Sequence, residues 1–353
     1  MTGNTSFSLI NTTTGDDGDV PIELCSLNDY SQLMATCYLA SFALSLIGNS
    51  LLVCALVRFE DSQSASRLFF LCLASFDLLF TFTLPFWAVD FLHHWVFGET
   101  ACRILIGAFH TGQFGSLLLL TAMTLDRFCT VVLNGRHLAK PGRRLLCARV
   151  ACVATWVISI SASLRDAINS ETGKREDKTY CNYGEVGEVE AKVTFYIQAV
   201  LFFILPLVVI VLCYSCILRT VLSVPHMRGR QRTVGLLFCI VVAFFVCFGP
   251  YNIVLYLLMV LDLSNCDTEK LVYFAYEISR ILAYCHCFVN PVLHMLRPRF
   301  RSLLYQVVCC MKLTSHPISQ PHINHDAIEM HNGYKTTLSV EMTLEQSEST
   351  NVF

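Results

Sequence analysis

Seven apolar stretches, each long enough to cross a bilayer, leave this chain almost no choice of fold. They cover residues 30–57, 67–91, 104–132, 145–164, 193–218, 234–261 and 271–296. Roughly 20 apolar residues span the ~30 Å of bilayer hydrocarbon, where every backbone N–H and C=O must be satisfied within the protein. Each stretch is therefore expected to be a helix, and the fold class is an all-α membrane protein, a seven-helix transmembrane bundle. The composition agrees, since 54% of the 353 residues are hydrophobic and only 15% are charged, against about 25% charged in soluble domains. A net charge of −2 gives no support for nucleic-acid binding, so the useful quantity is how charge divides among the loops.

Loop charge sets the expected orientation. Residues 1–57 contain no Lys or Arg, while Asp16, Asp17, Asp19, Glu23 and Asp29 make the 1–29 tail acidic. The start has no basic segment followed by an apolar one, so the first span is expected to serve as an uncleaved signal. Asn4 and Asn11 stand in Asn-x-Thr/Ser acceptor triplets, which fits a glycosylated external tail. The loops expected inside carry Arg58, then Arg136, Lys140, Arg143 and Arg144, then Arg228, Arg230 and Arg232, then Arg297, Arg299 and Arg301. In 165–192, by contrast, Asp and Glu outnumber Lys and Arg. The positive-inside rule then puts the N-terminus outside and the C-terminus in the cytoplasm, as an odd number of crossings requires.

Beyond the bundle (30–296), residues 297–311 are basic, with Phe300, Leu303, Leu304, Val307 and Val308 spaced for one helical face. That pattern predicts a juxtamembrane amphipathic helix on the inner leaflet, with Cys309 and Cys310 as palmitoylation sites; the alternative is an ordinary surface helix with idle cysteines. The tail 312–353 turns polar, mixing Ser and Thr with Glu, and reads as a disordered segment open to phosphorylation.

Polar groups at membrane depth need a reason. Asp77 falls mid-span, with Asn49, Ser116 and Asn290 at matching depth in other spans. A carboxylate among neutral oxygen groups suits a small hard cation such as sodium, a protonation switch, or a hydrogen-bonded knot that only fixes packing. Pro85, Pro206, Pro250 and Pro291 lie inside spans, where each removes a backbone hydrogen bond and permits a kink. Cys25, Cys102, Cys181 and Cys266 fall one each in the tail and the three outer loops. Four cysteines permit three pairings; Cys102–Cys181 would pin the second loop to the third span and leave Cys25–Cys266, and free thiols are the remaining alternative.

Gly48-Asn49, Leu73-Ala74-Ser75-Phe76-Asp77, Cys102, Asp126-Arg127-Phe128, Trp156, Pro206 with Tyr214, Cys247-Phe248-Gly249-Pro250 and Asn290-Pro291 supply one motif per span. As a set they resemble the rhodopsin-like G-protein-coupled receptors. Thr83-Leu84-Pro85-Phe86-Trp87, Trp95-Val96-Phe97-Gly98, Pro250-Tyr251-Asn252 and His286 to Pro291 are similar to the chemokine-receptor branch, of which a Cys25–Cys266 pair is a further hallmark. Arg280 stands ten residues before Asn290, where most chemokine receptors carry glutamate, and resembles the arginine of the XC-type receptors that answer lymphotactin-like chemokines.

The resemblance implies a basic chemokine steered in by Asp16, Asp17, Asp19 and Glu23, with its N-terminus entering near Trp87, Phe109, Tyr251, Glu277 and Arg280. It implies a coupling switch of Asp126, Arg127, Phe128, Tyr214, Asn290, Pro291 and His294 acting on a heterotrimeric G protein of the inhibitory class. Leukocyte chemotaxis and calcium signalling would follow, at the plasma membrane, with receptor kinases and arrestin engaging the tail. No cofactor is expected beyond an allosteric sodium ion. Phe128, Phe248 and His294 depart from the family's tyrosine, tryptophan and tyrosine, and the fourth span lacks its usual proline. Those departures keep a second reading open, an atypical decoy receptor that internalises ligand without G-protein signalling. A transporter would show internal repeats and a path of buried ionisable groups. An intramembrane enzyme would have to use Ser116, Asp77 and His286, a weak set, and no enzymatic activity is expected.

Overall fold

The computed structural model describes residues 31–133, 141–175, 178–184, 188–223, 228–261 and 266–295. The acidic tail with Asp16, Asp17, Asp19, Glu23, Asn4, Asn11 and Cys25, the 297–311 segment with Cys309 and Cys310, and the 312–353 tail lie outside the described residues, as do the side chains of His294 and Cys266.

The described chain is a helical bundle with one short hairpin. In order it forms α1 (Ser31–Phe59), α2 (Ala65–Thr81), α3 (Leu84–Leu92), α4 (Gly98–Val131), α5 (Pro141–Ile168), β1 (Ser170–Arg175), β2 (Lys178–Tyr183), α6 (Glu188–Ala199), α7 (Leu205–Ser223), α8 (Arg228–Val260), α9 (Cys266–Tyr284) and α10 (His286–Met295). Among the described residues, six spans meet the length and composition for crossing a membrane, with α2 and α3 together forming the second and α6 and α7 the fifth. The expected seventh, 271–296, is divided between α9 and α10 by a break at Cys285. Asp267, Glu269 and Lys270 in the first turns of α9 keep it below the hydropathy of the others.

The prolines act differently from one another. Pro85 sits in the first turn of α3, where its missing N–H costs nothing; the chain turns through Phe82 and Thr83, with Thr83 Oγ1 donating to Phe80 O at 2.7 Å. Pro206 follows a π-helical turn, Val200–Ile204, whose wider hydrogen bonding absorbs the missing donor. Pro250 and Pro291 lie within continuous helices.

Residues sort by side, opposite to a soluble helix. On α5, Val150, Val153, Val157, Ile160 and Leu164 are exposed, while Ala148, Cys152, Thr155, Ser159, Ser163 and Asp166 are buried. Where lipid surrounds the bundle, aliphatic side chains face out and small or polar ones bring helices together. Glycine does the same on α4. A Cβ at Gly112 would stand 2.9 Å from Phe80 Cβ, and one at Gly115 would run into the Phe76 ring, which stacks on Trp156 at 4.1 Å.

At one end, β1 and β2 pair antiparallel with Thr172 opposite Cys181. Cys181 is bonded to Cys102 of α4, and Trp95 N donates to Thr179 O at 2.8 Å. Trp95, Cys102, Ile106 and Cys181 form a small core of their own there, flanked by Phe86, Trp87 and Phe97.

Candidate functional site

A single helix, α4, connects the two ends. Cys102 is at the hairpin end and Arg127 at the other, about 37 Å apart at 1.5 Å per residue. Between them lies the polar core. Asp77, fully buried, accepts from Ser116 Oγ at 2.9 Å through Oδ1 and from Asn290 Nδ2 at 2.8 Å through Oδ2. His286 Nε2 faces Oδ1 at 3.8 Å, while its Nδ1 lies 2.7 Å from Ala283 O.

Asn49 is held elsewhere. Its Nδ2 donates to Cys287 O at 2.8 Å and to Ser45 O and Ser45 Oγ at 3.1 Å. Pro291 explains this, because it has no N–H to give to the carbonyl four residues earlier; Asn49 and Ser45 Oγ, at 3.2 Å, supply donors to Cys287 O instead. A sodium ion takes several oxygen ligands, as hard cations do. Here the carboxylate faces the Asn290 amide N–H₂, the Ser116 hydroxyl and, at 3.8 Å, an imidazole nitrogen. Ser116 and Asn290, both hydrogen-bonded to Asp77, carry the neutral oxygens that would hold such an ion beside the carboxylate, while Asn49 is committed to Cys287 O.

At the Arg127 end, the neighbouring carboxylate is not the direct partner of the arginine. Asp126 takes a bidentate pair from Arg144 of α5, at 2.8 and 2.6 Å, a geometry that fixes both side chains. Arg127 donates instead to Ser66 Oγ at the start of α2, at 2.8 Å. Phe128 packs against the core. Tyr214 is buried, its ring 5.3 Å from Phe238.

At the hairpin end, Trp87, Phe109, Tyr251, Glu277 and Arg280 come from α3, α4, α8 and α9 into one aromatic wall. Phe109 packs on Phe80 and Tyr284, Tyr251 on Tyr276, and Trp87 on Trp95. The Arg280 guanidinium lies 5.2 to 6.0 Å from the rings of Tyr276, Phe91, Tyr284 and Tyr38. It also pairs with Glu277 at 3.3 Å, with both side chains largely buried.

The family comparison decides what this bundle is. The 7 transmembrane receptor (rhodopsin family) model matches residues 48–294. Human chemokine XC receptor 1 is 35% identical over 297 residues, covering 81% of this chain and 85% of its own. Human C-C chemokine receptor type 1 is 30% identical over 317 residues, covering 87% and 88%. The chain belongs to the chemokine receptors of the rhodopsin family. It is a multi-pass plasma-membrane receptor, not an enzyme.

In this chemokine receptor several participants escape a reading of the sequence alone. Arg144 was legible only as part of a basic loop, and Ser66 not at all. Asp166 of α5, buried, lies 3.0 Å from His110 Nδ1 and accepts from Gln198 Nε2 at 3.1 and 2.8 Å, tying α4, α5 and α6 together. Beside it, a cavity of about 70 Å³ is lined by His110, Gln113, Gln198, Phe248, Tyr251 and Asn252 among others. Phe248 lines it and also packs on His286 at 4.6 Å, so the departure from tryptophan lies between the cavity and the polar core. A charged residue beside an apolar run was the only signal for Asp166, and its partners are 32 and 56 positions away.

Proposed function

We propose that this receptor binds a basic chemokine, of the lymphotactin type, at the hairpin end and activates a heterotrimeric G protein of the inhibitory class at the Arg127 end. Chemotaxis and calcium signalling follow in leukocytes, with the N-terminus outside and the C-terminus in the cytoplasm. The acidic residues of the 1–29 tail raise the encounter rate of a basic ligand, an effect that weakens as salt rises. The observation that carries this reading is the state of Arg127. Its direct partner is the Ser66 hydroxyl, while Asp126 is taken up by Arg144. Releasing Arg127 therefore breaks one hydrogen bond to a neutral group rather than a bidentate ion pair. A ligand shifts the bundle only by its differential affinity for two states, and a weak latch keeps that requirement small.

Receptor kinases and arrestin acting on the 312–353 tail, and acyl chains on Cys309 and Cys310, complete the proposal. Decoy behaviour is the second reading, favoured by Phe128, which lacks the hydroxyl of the family's tyrosine. Ligand-stimulated nucleotide exchange, measured beside arrestin recruitment on the same membranes, separates the two. Signalling predicts exchange in the wild type that Arg127→Ala abolishes while chemokine binding persists. Arrestin recruitment with no exchange in the wild type establishes the decoy, and exchange unchanged in Arg127→Ala defeats the assigned switch.

A further inference from the structure

At the Arg127 end two arginines compete for one carboxylate. Arg144 of α5 takes Asp126 in the bidentate pair at 2.8 and 2.6 Å, and Arg127 is left to the Ser66 hydroxyl at 2.8 Å. Asp126 and Arg144 are the charged groups whose fields reach Arg127, with the Tyr214 phenol beside them. One acid against two guanidinium groups leaves a positive charge over, and the pairing hands that surplus to Arg127.

Helix geometry decides which arginine wins. Successive residues of α4 point about 100° apart, so Asp126 is aimed at α5 while Arg127 is aimed at the start of α2. A guanidinium fork arriving from a facing helix matches both carboxylate oxygens at once. The Asp126 side chain is 11% exposed and that of Arg144 28%, so solvent screens this pair less than it would a surface one. Take Arg144 away, and Asp126 becomes a largely buried carboxylate stripped of its partner, which is costly. Arg127, the next residue, is then the cation at hand.

We propose that Arg144 sets how readily this receptor turns on, by holding the Asp126 carboxylate away from Arg127. With Arg144 in place, the resting state retains Arg127 through a neutral hydroxyl and stands close to release. Without it, Asp126 turns to Arg127 and adds a charged hydrogen bond to the Ser66 latch. A ligand can shift the bundle only by its differential affinity for the two states, so every increment on the latch is subtracted from the response. Arg144 acts through Asp126 and is a positioning residue for the switch. This assignment rests on the signalling reading above and names the residue that tunes that switch.

The test measures nucleotide exchange, basal and stimulated by a lymphotactin-type chemokine, together with the chemokine bound at saturation. Membranes carry an inhibitory-class G protein with the wild type, Arg144→Gln, Arg144→Lys, or Arg144→Gln combined with Asp126→Asn. A hydrogen bond to a charged group is worth about tenfold in an equilibrium. Arg144→Gln is therefore expected to lower basal exchange and weaken chemokine potency by about tenfold, and Arg144→Lys, which keeps the charge without the fork, by less. Adding Asp126→Asn takes the carboxylate from Arg127 and should recover that factor. A plain staple between α4 and α5 predicts otherwise, since the double variant breaks the same bond and would stay as impaired as Arg144→Gln. Saturating binding equal to wild type shows that a variant is folded; should Arg144→Gln fail to fold, Arg144→Lys with and without Asp126→Asn carries the comparison. Exchange by Arg144→Gln equal to or above wild type overturns this assignment alone, as does a double variant no more active than Arg144→Gln. A wild type that binds the chemokine without any exchange overturns the signalling reading and this assignment together.

Discussion

Replacing Asn49 by alanine tests how the seventh span is held. Asn49 is fully buried and makes three donations, to Cys287 O at 2.8 Å and to Ser45 O and Oγ at 3.1 Å. The first matters most, because Pro291 leaves Cys287 O without its helical donor. A buried carbonyl stripped of its partners costs about 1–3 kcal/mol, while side-chain hydrogen bonds between membrane helices average about 0.6 kcal/mol. Ser45 Oγ, at 3.2 Å, still reaches the carbonyl in the variant, so Asn49→Ala is expected to cost about 1 kcal/mol, a fall of roughly 2 °C in thermal midpoint for a chain of this size. Removing both donors leaves Cys287 O bare, so Asn49→Ala with Ser45→Ala should cost about 1 kcal/mol more than the two singles together. Pro291→Ala restores the backbone donor and should make Asn49→Ala nearly silent. Midpoints of purified receptor in detergent provide the measurement. Strict additivity of the double variant, or an undiminished Asn49 effect in the Pro291→Ala background, would refute the reasoning.

Other expectations follow from single contacts. Cys181→Ser opens a closed loop of 79 residues, a loss of about 4.5 kcal/mol by loop-closure entropy, and should speed hydrogen exchange at the Trp95 amide, which donates to Thr179 O of the hairpin; a midpoint equal to wild type would contradict it. Glu277→Gln leaves Arg280 as a largely buried cation without its carboxylate and should cost about 3 kcal/mol, whereas Glu277→Leu with Arg280→Met should come close to wild type in thermal stability; a double variant as unstable as the single would argue against the pair. Gly115→Ala drives a methyl into the Phe76 ring and should destabilise by about 1–3 kcal/mol, with Phe76→Leu in the same chain recovering most of it; failure of that rescue would place the strain elsewhere.

The rhodopsin-family bundle was legible because its determinants are local. Apolar length gives helices that can only be spans, and a motif in each span gives their order. Depth along a helix is also local, which is why Asp77, Ser116 and Asn290 were legible as neighbours. Which polar group faces which depends on helix rotation and sub-turn offsets that no single segment encodes. Asn49 shares the depth of Asp77 but turns to Cys287 O, because Pro291, in another span, creates a stronger demand there. Asp126 and Arg127 are adjacent in sequence, yet successive helical residues point about 100° apart, and so one meets Arg144 and the other Ser66.

Arg280 shows the same division at the ligand end. Sequence alone determined that a cation stands where relatives carry an acid, and that Glu277 lies one turn away. Only the tertiary structure decided that four aromatic rings and Glu277 surround that charge. The physical reason is that a side chain's charge is fixed by its chemistry, whereas the net field of a site is a sum over groups from helices far apart in sequence. That sum exists only once the helices have packed.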